Sequence, residues 1–163
     1  MRILGIDPGL NITGYGLIEE NDSKISLIEA GVIRTSHEMP IKDRLRKIYD
    51  GLAEVIEEYR PETLVLEKIY SHYKHPATAI LMAHARGVVC LLCGKYNIEL
   101  INYASTHLKQ SIAGRGRAGK GQVAGMVKTL LKLKSLPRYE DVTDALALAL
   151  SHMNTVKYRQ RLQ

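Results

Sequence analysis

Asp7 closes a short apolar run, Ile3 to Ile6, and is followed at once by Pro8 and Gly9. The run reads as a buried strand that ends on a carboxylate, and an unpaired carboxylate out of water costs several kcal/mol. Pro fixes φ and Gly supplies φ > 0, so a tight turn must follow. Asp is itself a favoured turn residue, and on this stretch alone that plainer reading stands level with the chemical one. Glu67 lies near the end of a second buried run, Thr63 to Ile69. Asp141 and Asp144 are spaced i, i+3 at the start of a helical pattern, so their side chains share one face. Acids in a first helical turn complement the helix dipole, and an isolated D-x-x-D needs no further account. Two strand-end acids beside such a pair do need one, and a cation held by Asp7, Glu67, Asp141 and Asp144 satisfies all of them together. An all-oxygen set without matching His or Cys suits magnesium, with manganese substituting. The chemistry such sets serve is phosphodiester hydrolysis by two ions about 3.5–4 Å apart. One ion acidifies the attacking water; the other steadies the departing 3′ oxygen.

The elements that must position these acids follow from periodicity. Thr13 to Glu19 reads as a strand returning from the Pro8-Gly9 turn, with glycines that let backbone pass close to whatever sits on Asp7. After the turn cluster Asn21-Asp22-Ser23, Ile25 to Thr35 reads as a third strand, antiparallel to the second. The spacing of Ile41, Leu45, Ile48, Leu52, Val55 and Ile56 predicts a helix from Pro40 to Tyr59, ended by Pro61. Thr63 to Ile69 is the fourth strand and Glu99 to Tyr103 the fifth. Between them Ala77 to Tyr96 is an apolar helix on more than one face, which needs the sheet on one side and a second cover on the other. Ser105 is the expected N-cap of a short helix through Ile112, a further helix spans Gln122 to Leu133, and the last runs from Glu140 to Met153.

Residues 114–121, Gly-Arg-Gly-Arg-Ala-Gly-Lys-Gly, form a basic loop that nearly spells a phosphate-binding P-loop. Gly121 stands where that motif needs a Ser or Thr hydroxyl, and a helix rather than a strand precedes it, so the P-loop is rejected. Cys90 and Cys93 form C-x-x-C, with His72 and His75 as possible zinc partners. The surrounding Val88, Val89, Leu91 and Leu92 favour buried structural thiols instead.

At 163 residues the chain is one domain's length, and a net charge of +6 points to an anionic partner, nucleic acid before membrane. No apolar run is read as a membrane span and the first residues lack a signal-peptide core, so the expectation is a cytoplasmic protein. Residues 1–156 are expected to form one domain, and 157–163 a basic, disordered tail.

The ordered set of motifs resembles the RuvC family of Holliday-junction resolvases, crossover junction endodeoxyribonucleases with a ribonuclease-H-like fold. The matching stretches are Leu4-Gly5-Ile6-Asp7-Pro8-Gly9, Leu66-Glu67-Lys68-Ile69-Tyr70, Ala85-Arg86-Gly87, Leu108-Lys109-Gln110, Lys120-Gly121-Gln122-Val123, Met126 to Leu131, and Asp141 to Ala147. The resemblance implies an α/β architecture with a five-stranded mixed sheet, three antiparallel strands and then parallel ones, flanked by helices. It implies a magnesium-dependent homodimer that places paired nicks across four-way junction DNA in recombination and repair, and that works with the RuvA–RuvB branch-migration complex. Lys109 and Lys120 match positions near the scissile phosphate; Arg115 and Arg117 add charge to the glycine-rich loop. Tyr70 stands where the family often has Phe, and its ring can stack on an unpaired base or cap the core edge. Gly119 replaces an acid common in the family loop, so Lys120 is held differently. Two other readings remain: a non-catalytic junction-binding module, which retention of all the acids disfavours, and an actin-like ATPase, whose second lobe has no room here.

Overall fold

A computed structural model describes residues 1–22, 24–68 and 76–162. The elements are β1 (Arg2–Asp7), β2 (Ile12–Asn21), β3 (Lys24–Arg34), α1 (Ile41–Tyr59), β4 (Thr63–Glu67), α2 (Pro76–Tyr96), β5 (Glu99–Tyr103), α3 (Ser105–Ala113), α4 (Lys120–Leu130) and α5 (Glu140–Arg161). One sheet holds all five strands in the order β3-β2-β1-β4-β5. β1, β2 and β3 are antiparallel neighbours, whereas β4 is parallel to β1 and β5 parallel to β4. The three-plus-two arrangement expected from the sequence is the one observed.

Alternation along the central strands sorts the core into two layers. Ile3, Ile18 and Val65 face α3, α4 and α5. Leu4, Ile6, Leu17, Leu64 and Leu66 face α1 and α2. On the α5 side β1 presents Gly5, and a Cβ there would lie 1.9 Å from the Ala145 carbonyl oxygen and 2.9 Å from the Ala149 nitrogen. At Gly14 a Cβ would lie 2.2 Å from the Asp141 carbonyl oxygen. Helix backbone thus rests directly on strand backbone, which only glycine permits. What passes close to the Asp7 strand end is α5 itself, carrying its acids with it.

Several local expectations are corrected. α5 continues to Arg161, and Lys157 pairs with Glu20 at 2.8 Å, so the segment from 157 to 161 is helical and not a disordered tail. Ala104, not Ser105, occupies the cap position of α3, and no side chain bonds there. α4 starts at Lys120, two residues before Gln122; the Gly119 N–H donates to Gln122 Oε1 at 3.1 Å, which satisfies one of the open amides of that end. The glycine-rich loop does follow a helix, which ends at Gly114 with φ 70°, as the rejection of the P-loop requires.

α2 packs Ala85, Val89, Leu92 and Cys93 against the sheet. Its outer side leaves Ile80, Leu81, Met82 and Leu91 exposed, Leu91 by 62%, so the expected second cover is not supplied from within the chain's described residues. Cys90 is exposed, contrary to expectation, while Cys93 is buried and its thiol is pushed up to about 11 by that burial. Residues Ala77–Tyr96 are also long and apolar enough to cross a membrane, which the sequence reading did not anticipate. A helix with one face on a sheet and an apolar outer face meets the same criteria of length and composition.

Candidate active site

The acids converge at the end of the sheet where β1 and β4 finish. Asp7 is the last residue of β1 and pairs with Gly14 of β2. The parallel register of β1 and β4 aligns Gly5 with Val65, and two residues further on the same offset sets Asp7 beside Glu67. α5 supplies the other pair, brought in by the contact of Gly14 with Asp141. Burial raises the Asp7 pKa from 3.8 to about 7, with Asp144, Asp141 and Glu67 pushing in the same direction and Lys120 opposing. Asp144 is also raised, by burial first, against the pull of Lys120. The four acids predicted from sequence therefore share one electrostatic field.

Lys120, at the start of α4, reaches into that field. Its Nζ lies 3.8 Å from Asp144 Oδ2 and 3.9 Å from Glu140 Oε2. Glu140 is a fifth acid that sequence reading passed over, although its place beside Asp141 in a first helical turn was visible. Lys109 sits half-buried on α3. Arg115 and Arg117 are exposed on the loop between α3 and α4, with no acid in ion-pair range among the described residues. That loop is pinned by Ala118, which is buried and donates its N–H to the Arg115 carbonyl. Tyr70 lies outside the described residues, as do His72 and His75.

Two guanidiniums, Arg44, which carried no signal in the sequence, and Arg86, from the matching stretch Ala85-Arg86-Gly87, hold the strand ends. Arg44 of α1 is buried; it donates from Nε to Thr35 Oγ1 at 2.9 Å and from Nη2 to Asn11 Oδ1. Thr35 Oγ1 donates in turn to the Leu10 carbonyl, and Thr13 Oγ1 to the Gly9 carbonyl at 2.7 Å, so the turn after Asp7 is tied down on both sides. Arg86 of α2 donates from Nη1 to the Glu67 carbonyl at 2.7 Å and from Nη2 to Asn102 Oδ1, joining the ends of β4 and β5. Their partners are backbone and neutral side chains far away in sequence, which no local pattern announces.

All-oxygen donors and an anionic field fit a hard divalent cation. Among the described residues, however, no group of three Asp, Glu, His or Cys side chains is arranged to hold an ion as it stands. Mutual repulsion separates carboxylates gathered at one place, and Asp144 faces Lys120 instead. The donor chemistry fits the metal, although the carboxylates do not form a ligand set as they stand.

The mixed sheet with its flanking helices is a ribonuclease-H-like fold, with acids at the ends of adjacent parallel strands and on the helix packed across them. Residues 3–152 match the family model described as crossover junction endodeoxyribonuclease RuvC, and the chain belongs to that family. It is 45% identical over 148 residues to the crossover junction endodeoxyribonuclease RuvC of Rhodopirellula baltica, covering 91% of this chain and 83% of that one. It is 40% identical over 163 residues to the protein of the same name from Pelotomaculum thermopropionicum, covering 100% and 99%. Among solved structures it is similar to T. thermophilus RuvC in complex with Holliday junction substrate, with a TM-score of 0.91, 32% identity and coverage of 98% and 96%.

Proposed function

We propose that the chain is a structure-selective endodeoxyribonuclease that resolves four-way (Holliday) DNA junctions by paired nicks in recombination and repair. The observation that carries this reading is the field at Asp7 at the end of β1, built by Glu67 from β4 and by Asp141 and Asp144 from α5. Membership of the RuvC family and likeness to the T. thermophilus complex support the substrate. Asp7, Glu67, Asp141 and Asp144 would hold two Mg²⁺ ions, with Mn²⁺ able to substitute. Bound there, the ions supply an acidified water and charge neutralisation at the departing 3′ oxygen.

The chain's own residues do the rest. Arg44 and Arg86 keep the acid-bearing strand ends in place, and Lys120 stands beside Asp144 ready to meet a phosphate. Lys109, Arg115 and Arg117 extend the cationic track, and Tyr70 stacks on a base unpaired at the junction centre. Paired nicks need two sites, which a two-fold homodimer provides; the exposed Ile80, Leu81, Met82 and Leu91 of α2 are the surface that a second copy would cover. The chain through Arg161 acts as one catalytic domain in the cytoplasm, alongside a RuvA–RuvB branch-migration complex.

The test is nicking of a synthetic four-way junction with and without Mg²⁺, beside a linear duplex of the same sequence and an ATP-turnover assay. Symmetric, Mg²⁺-dependent nicks confined to the junction are expected. Tight junction binding without cleavage would favour a non-catalytic module, and ATP turnover an ATPase-related domain.

A further inference from the structure

Beyond the acids, on the side of the sheet away from β5, the chain gathers a second set of cations. β3 ends at Arg34, which pairs with Ile12 of β2, two residues before Gly14, the partner of Asp7. Arg34 therefore stands at the acid-bearing end of the sheet, on its outer edge strand. Against this edge lies the segment leading into α5, where Tyr139 directly precedes Glu140 and Asp141. The guanidinium carbons of Arg34 and Arg138 lie over the Tyr139 ring, 5.9 and 5.6 Å from its centroid. Arg34 Nη1 also donates to the Tyr139 hydroxyl at 3.4 Å. Both arginines are exposed, and neither has an acid in ion-pair range among the described residues.

Two like charges drawn onto one ring repel each other, and a carboxylate between them would relieve that repulsion. None is there, so the pair keeps its forks open for an anion from outside. We propose that Arg34 and Arg138, held by Tyr139, bind backbone phosphates of the DNA on the β3 flank of the acid centre. This contact is separate from the Lys109 to Lys120 track, and it rests on the reading of the chain as a junction nuclease. β3 is two strands from β1, about 10 Å at ordinary strand spacing, so the phosphates held by Arg34 and Arg138 flank the one that is cut. A planar guanidinium suits phosphate because it can give two parallel hydrogen bonds. Phosphate contacts fix register and orientation without reading sequence. Cations on one flank alone would let the strand pivot over the acids, and a second flank stops the pivot.

The experiment measures junction affinity of the full chain in Ca²⁺ across a salt series, for the wild type, Arg34→Gln, Arg138→Gln and the double variant. Each loss of charge should flatten the plot of log affinity against log salt by about 0.9 and weaken binding about threefold or more at moderate salt. Arg34→Lys and Arg138→Lys keep the charge and should keep the slope. A scan of junctions carrying one neutral methylphosphonate locates the contact: substitution at a position flanking the cut should weaken the wild type and leave the double variant indifferent. Melting temperatures within 1–2 °C of the wild type in all variants, as about expected for surface changes, tie the effect to binding. A slope unchanged by both Gln substitutions, or a methylphosphonate effect equal in wild type and double variant, overturns the proposal while leaving the nuclease reading intact. A wild type that neither binds nor nicks junctions overturns the nuclease reading, and this inference with it.

Discussion

Replacing Asp7 with Asn keeps the shape of the side chain and removes the charge on which the acid centre is built. Burial and three neighbouring acids hold the Asp7 pKa at about 7 instead of 3.8. A carboxyl whose folded-state pKa exceeds its unfolded value stabilises the fold while it stays protonated. Its contribution is complete below about pH 4, declines as pH climbs, and is gone above about pH 7. The span from 3.8 to about 7 is worth roughly 4 kcal/mol. Water at a partly exposed site and relaxation of the neighbouring acids reduce this to about 2 kcal/mol. The wild type in chelator should therefore lose about that much more stability between pH 4 and pH 8 than Asp7→Asn, which keeps only the loss that Asp144 contributes. For a chain of this size the variant should melt about 4–8 °C above the wild type at pH 8 and level with it at pH 4. Adding Mg²⁺ at pH 8 should raise the wild-type melting temperature and narrow the gap, with little effect on the variant. Junction cleavage by the variant should fall about a thousandfold, the kinetic equivalent of several kcal/mol of lost charge stabilisation. Junction affinity in Ca²⁺ should hold or rise slightly, because one negative charge near phosphate is gone. A melting gap independent of pH, or near-normal cleavage, would return Asp7 to the role of a turn residue, since Asn is an equally good turn former.

The remaining predictions probe the elements that place the acids. Gly5→Ala puts a methyl 1.9 Å from the Ala145 carbonyl oxygen, so α5 must move; a loss of about 3 kcal/mol or more in a denaturant melt is expected, and an unchanged midpoint would mean that α5 does not rest on β1. Arg86→Met strips the Glu67 carbonyl of its 2.7 Å donor and should cost about 1–3 kcal/mol while raising the Mg²⁺ concentration for half-maximal cleavage. Replacing Lys109, Arg115, Arg117 or Lys120 with Ala should lower the salt slope of junction binding by roughly one ion each, and an unchanged slope for all four would make them a solvated surface. Sedimentation of the chain without DNA at micromolar concentration should show a dimer, and a lone monomer would leave the exposed face of α2 without its proposed cover.

Much of this protein is legible in the sequence because the signals are local. A buried run ending on Asp7 and broken by Pro8-Gly9, and the i, i+3 spacing of Asp141 and Asp144, each follow from a few neighbouring residues. So do the strands and helices, whose hydrophobic periods differ. That the acids belong together could be inferred from the chemistry each lacks alone. How they come together could not, because it depends on contacts between residues more than a hundred apart. Gly5 and Gly14 show a missing side chain in the sequence, but only the packed structure reveals that the space is filled by the backbone of α5 at Ala145 and Asp141. Arg44 and Arg86 are ordinary helix cations until folding sets Asn11, Thr35, Glu67 and Asn102 around them. Arg34 and Arg138 likewise become a pair only when the edge of β3 meets the entry to α5 at Tyr139. The segment from 157 to 161, basic and polar enough to read as loose, is helical because Lys157 finds Glu20 on β2. Local pattern determined which residues are candidates for the chemistry; tertiary packing decided where each stands, since a side chain's distant neighbours are set by the fold and not by its place in the chain.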